Sequence, residues 1–180
     1  MAILSLKIGF KTILVLESPR ELDLIIKVSQ ELNVRPLLGI RIKLTNKVSG
    51  NWSQSSGDRS AFGMSVEQVM KVITKLKVNN YLDCLVLQHS HLGSQIPDII
   101  EIRKATQEAC RFYSEMCKQG APLEYLDLGG GLGVDYTGEQ KSSLNSINYS
   151  LDEYCINIVE TVKYELDQSN IDHPKIVTES

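Results

Sequence analysis

The 180-residue sequence has no apolar run approaching the roughly 20 residues that span a bilayer. Its opening, MAILSLKIGFK, has too short an apolar stretch and no small-residue cleavage site, which argues against a secretory signal. There is no basic excess either. Nineteen Lys and Arg against 22 Asp and Glu leave a net charge of −3, which points away from nucleic acid or an anionic membrane as main partner. CxxC spacing is missing: Cys84, Cys110, Cys117 and Cys155 are scattered, three of them among apolar neighbours on predicted helices or strands. They read as buried, reduced thiols of a cytoplasmic protein rather than disulfides or metal ligands. No internal repeat or low-complexity segment interrupts a length that suits one domain.

What is present centres on Leu123 to Tyr136, LEYLDLGGGLGVDY. Leu123, Tyr125 and Asp127 alternate with Glu124, Leu126 and Leu128 as a strand, which breaks at Gly129, Gly130 and Gly131, with Gly133 two residues on. A glycine run costs backbone entropy but lets a ligand approach exposed N–H groups closely. A strand ending this way can cradle a phosphate, or can simply be a turn at a crowded strand end. Neither familiar glycine fingerprint fits. A P-loop needs Lys and Ser/Thr after its last glycine, where Leu132 and Val134 flank Gly133, and the sixth position of the dinucleotide pattern is Val134.

Around this stretch, strands and helices alternate. Residues 2–8 read as a helix closed by Gly9, followed by a strand from Lys11 to Glu17. Ser18, Pro19 and Glu21 carry a helix start, and Leu22, Ile25, Ile26 and Leu32 mark its apolar face. A second strand runs from Pro36 to Lys43, then a polar stretch from Thr45 to Gly63. So long a stretch without periodicity is unusual in a compact domain and often functional. Ser65 and Gln68 form a capping box for a helix facing inward through Val66, Val69, Met70, Ile73 and Leu76. Tyr81 to His91 is a third strand. Asp98 opens the longest helix, closed by Gly120, and Ser150 with Glu153 caps the last, with Leu151, Tyr154, Ile158 and Val162 as its face. Lys175 to Glu179 is the fifth strand. This order predicts a parallel α/β sheet of about five strands with four crossover helices. A doubly wound sheet and part of a (β/α)8 TIM-type barrel both satisfy it, and the start inside a helix and the end after a strand favour a piece of a larger barrel.

In such folds, ligands gather at the carboxyl ends of the strands. There the sequence lines up Arg41 and Lys43, His89 and His91, Asp127 with the glycines, and Glu179. His89 and His91 share a strand face. A zinc site would need further ligands on other strands, and His173, the third histidine, precedes the fifth strand at the opposite end. A hydrogen-bonded core histidine is the simpler role for His89.

These residues carry a resemblance. HSHLGSQ (His89 to Gln95), LDLGGGLGVDY (Leu126 to Tyr136) and VTES (Val177 to Ser180) resemble the barrel domain of the biosynthetic arginine decarboxylases. These pyridoxal-phosphate (PLP) enzymes have an alanine-racemase-like PLP-binding barrel and are related to ornithine and diaminopimelate decarboxylases. The likeness extends through residues 49–65 and 148–154, with the NWSQSSG loop and the LGVDY extension pointing to the arginine branch. It implies conversion of L-arginine to agmatine and CO₂, feeding polyamine (putrescine and spermidine) synthesis, in a cytoplasmic enzyme that is a homo-oligomer at full length. It implies PLP and Mg²⁺ as cofactors, with no residue here marked as a metal ligand. By the same resemblance, His91 stacks on the pyridine ring, and Ser94, Gly129, Gly130 and Gly131 hold the phosphate. Glu179 pairs with the pyridine nitrogen, and Arg41 lines the pocket. Leu126, Asp127, Leu128, Gly129, Gly130, Gly131, Leu132, Gly133, Val134, Asp135 and Tyr136 border the substrate.

There are departures. Ala61 stands where the family usually has lysine in its SKFG segment. The family's Schiff-base lysine falls upstream of Met1 and its catalytic cysteine in a β-domain downstream of Ser180, so no catalytic residue is expected in this chain. Residues 1–180 are expected to be an incomplete PLP-binding barrel domain, lacking N-terminal strands and the C-terminal β-domain and inactive alone. The alternatives are an ornithine, diaminopimelate or carboxynorspermidine decarboxylase, or a non-catalytic remnant that binds partners.

Overall fold

A computed structural model describes residues 1–45, 62–143 and 145–179. Most of the polar stretch from Thr45 to Gly63, with the NWSQSSG loop and Ala61, lies outside the described residues, as does Ser180. Five strands, β1 (Ile13–Leu16), β2 (Leu37–Ile42), β3 (Leu85–Ser90), β4 (Tyr125–Asp127) and β5 (Lys175–Val177), pair in parallel in that same order. The helices are α1 (Ala2–Lys7), α2 (Pro19–Leu32), α3 (Val66–Val78), α4 (Ile99–Lys118) and α5 (Leu151–Ser169).

Strand order decides between the two architectures that the sequence left open. A doubly wound sheet reverses direction at a switch point. Here each strand pairs with the next in sequence, so right-handed crossovers put the helices on one face. That is the winding of a barrel. β1 and β5 both lie at edges, so the sheet is an open arc of parallel strands.

The helices begin as their sequences dictate. Ser65 with Gln68 and Ser150 with Glu153 make reciprocal capping boxes, and Asp98 accepts from the Ile100 N–H at 2.9 Å. Ser18 differs. Its side chain makes no cap bond, and the Glu21 carboxylate reaches past it to the Glu17 N–H at 2.8 Å. Two predicted helix faces are also rotated. Val66 and Leu151, the first helical residue after each cap, are exposed along with Met70, and burial starts at Val69 and Tyr154. The third strand is shorter than expected, since Leu82–Cys84 forms a 3₁₀ turn before it. The fourth and fifth likewise span three residues each.

The core lies between sheet and helices, with Leu16, Leu38, Ile40, Leu85 and Leu126 from the strands meeting Leu22, Val72, Ile73, Ala109 and Leu166 from the helices. Each large aliphatic side chain buried there contributes about 1.5–3 kcal/mol. Cys84 and Cys110 are buried, Cys117 is half-buried and Cys155 is exposed, all as free thiols. Burial raises the Cys110 thiol to about 12.

Candidate functional site

Side chains alternate across a strand, and register-paired residues of parallel strands point to the same side. Gln88 reaches α4, donating to the Ala109 carbonyl at 2.9 Å, so its neighbours in sequence, Leu87 and His89, face the other way. Register carries that face across the sheet: Arg41 pairs with His89, His89 with Asp127 and Asp127 with Val177. A polar row of Arg41, His89 and Asp127 thus crosses the carboxyl end of the arc on its helix-free side. Glu17, just past β1, joins it through an ion pair with Arg41.

His89 and Asp127 form the buried centre of that row, with His89 Nδ1 2.9 Å from Asp127 Oδ2. A carboxylate only accepts, so Nδ1 carries the proton. Asp127 Oδ1 accepts from the Gly129 N–H at 2.9 Å. The Glu179 carboxylate lies close by, and one donor atom from each of His89, Asp127 and Glu179 falls within 4.8 Å of the others. His91 is not in that group, so the two-apart histidines do not act as a ligand pair. His89 is the hydrogen-bonded core histidine that its strand position suggested, while His173 sits at the far end against Asp167 at 2.8 Å.

The glycines close the site from one side. Gly129 (φ +64°) and Gly131 (φ +129°) adopt backbone conformations that L side chains rarely take. A Cβ on Gly129 would lie 2.8 Å from the Ser90 carbonyl oxygen and 3.1 Å from His91 Nδ1, so the turn is pressed against the end of β3. The Glu179 N–H donates to the Gly129 carbonyl at 2.8 Å, continuing the β4–β5 ladder to the carboxylate. Among the described residues, the N–H groups of Gly130 and Gly131 have no protein acceptor. The N–H of Gly129 is taken by Asp127, so the cradle is narrower than the sequence suggests.

Other named residues fall in different places. Leu126 and Leu128 alternate with Asp127 and are fully buried in the core. Leu132 is partly buried against that core, while Val134 and Tyr136 are exposed. Asp135 builds a turn, accepting from the N–H groups of Gly138 at 2.8 Å and Gln140 at 3.0 Å. Partial burial would raise its carboxyl, but the hydrogen bonds, led by Ser146, outweigh that and leave it below the usual range. Ser94 is exposed beside Gly93, whose carbonyl oxygen approaches the Gly130 and Gly131 positions. Sequence reasoning missed three supports of this wall. Tyr149 Oη accepts from the Gly133 N–H at 3.0 Å and donates to the Ile96 carbonyl at 2.7 Å. Gln95 holds Val134 from both sides, at 2.9 Å to its N–H and 2.7 Å to its carbonyl. Glu17, besides pairing with Arg41, accepts from the Gly63 N–H at 3.1 Å.

Burial lowers the His91 imidazole below the ordinary histidine range, helped by the nearby Arg41 and His89 charges and opposed by Glu179 and Asp127. A half-buried neutral ring, two N–H groups without an acceptor among the described residues, and a carboxylate therefore converge at one strand end.

The description "Pyridoxal-dependent decarboxylase, pyridoxal binding domain" matches residues 3–180. The chain belongs to this family. Across all 180 residues it is 47% identical to a biosynthetic arginine decarboxylase of Prochlorococcus marinus and 44% identical to that of Vibrio cholerae, covering 28% of each. It is 41% identical to arginine decarboxylase 2 of Arabidopsis thaliana, over 26% of that protein. The chain thus spans little more than a quarter of these relatives. Among solved structures, the biosynthetic arginine decarboxylase of Campylobacter jejuni superposes with a TM-score of 0.85 at 31% identity, over 99% of this chain and 28% of that one. A Helicobacter pylori diaminopimelate decarboxylase shares the fold, with a TM-score of 0.76 at 23% identity over 99% of this chain and 41% of that one.

The residues suit the pyridoxal cofactor that the family takes. The Gly130 and Gly131 N–H groups, without a protein acceptor among the described residues, suit a phosphate, with the flat His91 ring and the Glu179 carboxylate beside them. No described helix is long and apolar enough to cross a membrane.

Proposed function

We propose that this chain is the cofactor-gripping part of an arginine decarboxylase barrel, which converts L-arginine to agmatine and CO₂ for polyamine synthesis. The observation that carries the choice of arginine is the 44–47% identity to biosynthetic arginine decarboxylases along the whole chain. When bound, the cofactor supplies an electron sink for the pair left as the carboxylate departs.

The chain's residues then have distinct tasks. Gly130 and Gly131 direct their N–H groups at the phosphate, with Ser94 beside them. His91 would stack on the pyridine ring, and its lowered pKa keeps it neutral, so it would not compete for the nitrogen's proton. Glu179 holds that proton at the nitrogen by the attraction of opposite charges. Arg41, fixed by Glu17, lines the pocket. Asp127 and the glycine turn border the substrate. None of the lysines matches the family's cofactor-linking lysine, so the chain contributes a binding wall and no reacting group. Residues 1–180 are one unit of a larger barrel in this reading, cytoplasmic and part of a homo-oligomer.

Magnesium belongs to the family expectation but does not fit here. Mg²⁺ favours near-octahedral oxygen coordination with retained waters. The one three-donor group among the described residues, His89, Asp127 and Glu179, puts a histidine nitrogen in place of an oxygen ligand.

The test is a hybrid in which this chain replaces the matching 28% of the Vibrio cholerae enzyme. The expected result is cofactor uptake, read by visible absorbance, with CO₂ released from L-arginine in preference to L-ornithine or diaminopimelate. A cofactor-loaded hybrid that prefers another amino acid refutes the arginine reading. One that releases CO₂ from none of them supports a binding remnant.

A further inference from the structure

We propose that Asp127 is a positioning residue for the phosphate end of the cofactor site. It works by tying the glycine turn to His89, so that the aim of the Gly130 and Gly131 N–H groups depends on it. The inference rests on the cofactor-site reading above.

The turn after β4 has to leave the strand and at once keep two amide N–H groups without a protein acceptor among the described residues. Gly129 makes that possible with φ +64°, but glycine's freedom allows many other conformations. Something has to select this one. Asp127 Oδ1 accepts from the Gly129 N–H two residues on, an Asx-type turn that fixes the Leu128–Gly129 peptide at the entry to the turn. An Asx turn at the surface is soft, because the side chain can swing away. Here it cannot: Asp127 is buried, and its Oδ2 accepts from His89 Nδ1 at 2.9 Å on the neighbouring strand. His89 in turn is held by register between Arg41 and Asp127. The carboxylate therefore has one oxygen anchored in the sheet and one in the turn. The opposite side of the turn is closed by the Glu179 N–H, which donates to the Gly129 carbonyl. Gly129 is thus gripped at both its N–H and its carbonyl, while the next two N–H groups have no acceptor among the described residues.

This arrangement makes a specific demand. Loosening Asp127 should weaken recognition of the phosphate and leave recognition of the ring nearly intact, because His91 and Glu179 hold the ring by other contacts. The readout is the ratio of dissociation constants for pyridoxal and pyridoxal phosphate, measured by equilibrium dialysis on the hybrid enzyme described above. The expected result for Asp127→Ala is pyridoxal-phosphate binding weakened about tenfold or more with pyridoxal binding little changed. Asp127→Asn keeps a neutral acceptor of the same shape for the Gly129 N–H, while its NH₂ faces His89 Nδ1, whose proton must then move to Nε2, and it is the variant expected to fold most readily. It should show a smaller fall in the same ratio, since a charged acceptor bonds roughly twice as strongly as a neutral one. An unchanged ratio in both variants overturns the proposal, as does an equal loss of both ligands, which is the signature of a merely structural role. A parent hybrid that binds neither ligand removes the cofactor-site reading itself. A parent that prefers the phosphate but decarboxylates no arginine leaves the role of Asp127 standing.

Discussion

Tyr149 and Tyr154 stack on one another, with ring centroids 6.2 Å apart, and both are buried. Their hydroxyls differ in a way that one substitution can expose. Tyr149 Oη bridges the Gly133 N–H and the Ile96 carbonyl, whereas the Tyr154 hydroxyl has no partner among the described residues. Removing the first leaves two buried backbone groups unpaired, each costing about 1–3 kcal/mol. Tyr149→Phe should therefore destabilise the protein by roughly 2–4 kcal/mol once partial relaxation is allowed for. For a domain of this size that is a fall in Tm of about 4–16 °C. Tyr154→Phe deletes a hydroxyl that is desolvated for no return, so stability should hold or rise by up to about 1 kcal/mol. Thermal and urea unfolding of the two variants beside the parent give the comparison. Equal shifts for the two, or a Tyr149→Phe cost below about 0.5 kcal/mol, would falsify the claim that this hydroxyl pins the glycine wall.

In the hybrid enzyme, Glu179→Gln should lower turnover by roughly 10²-fold with cofactor still bound, since a neutral amide no longer holds the pyridine proton; wild-type turnover removes Glu179 from the site. The lowered pKa of His91 makes the folded protein bind fewer protons than the unfolded chain in mildly acid solution. Its contribution to stability is thus present above the ordinary histidine value of about 6.5 and lost as pH falls through the folded value. Thermal unfolding between neutral pH and pH of about 5 should show that loss in the parent and less of it in His91→Gln. Thiol labelling of the native chain should be rapid at Cys155, which is exposed, and slow at Cys84, Cys110 and Cys117, whose pKa values burial raises. Fast labelling of all four would contradict the packing of α4 against the sheet.

Local patterns were the legible part of this fold. Ser65 with Gln68, Ser150 with Glu153, and Gly120 past the end of α4 are signals confined to one helix end, and each is realised. Where a local signal failed, the expected partners turned elsewhere: the Ser18 side chain makes no cap bond, and the Glu21 carboxylate accepts from the Glu17 N–H. The choice between a barrel arc and a doubly wound sheet depended on which strand pairs with which, and no single segment encodes that. The same limit applies to the site. His89, His91, the glycines and Glu179 could be placed at strand ends from alternation alone. The bond between His89 and Asp127 joins residues 38 apart, and Tyr149 meets Ile96 across 53. Such contacts depend on register and on how the loops return, which side-chain periodicity does not report.

Gln95 and Tyr149 hold the glycine wall by protein contacts alone, one at Val134 and the other at Gly133. The loop's freedom is therefore surrendered during folding and not when a ligand arrives. Binding at such a preorganised wall carries a small conformational-entropy penalty. It also means that ligand specificity can drift only through substitutions that leave these two clamps in place.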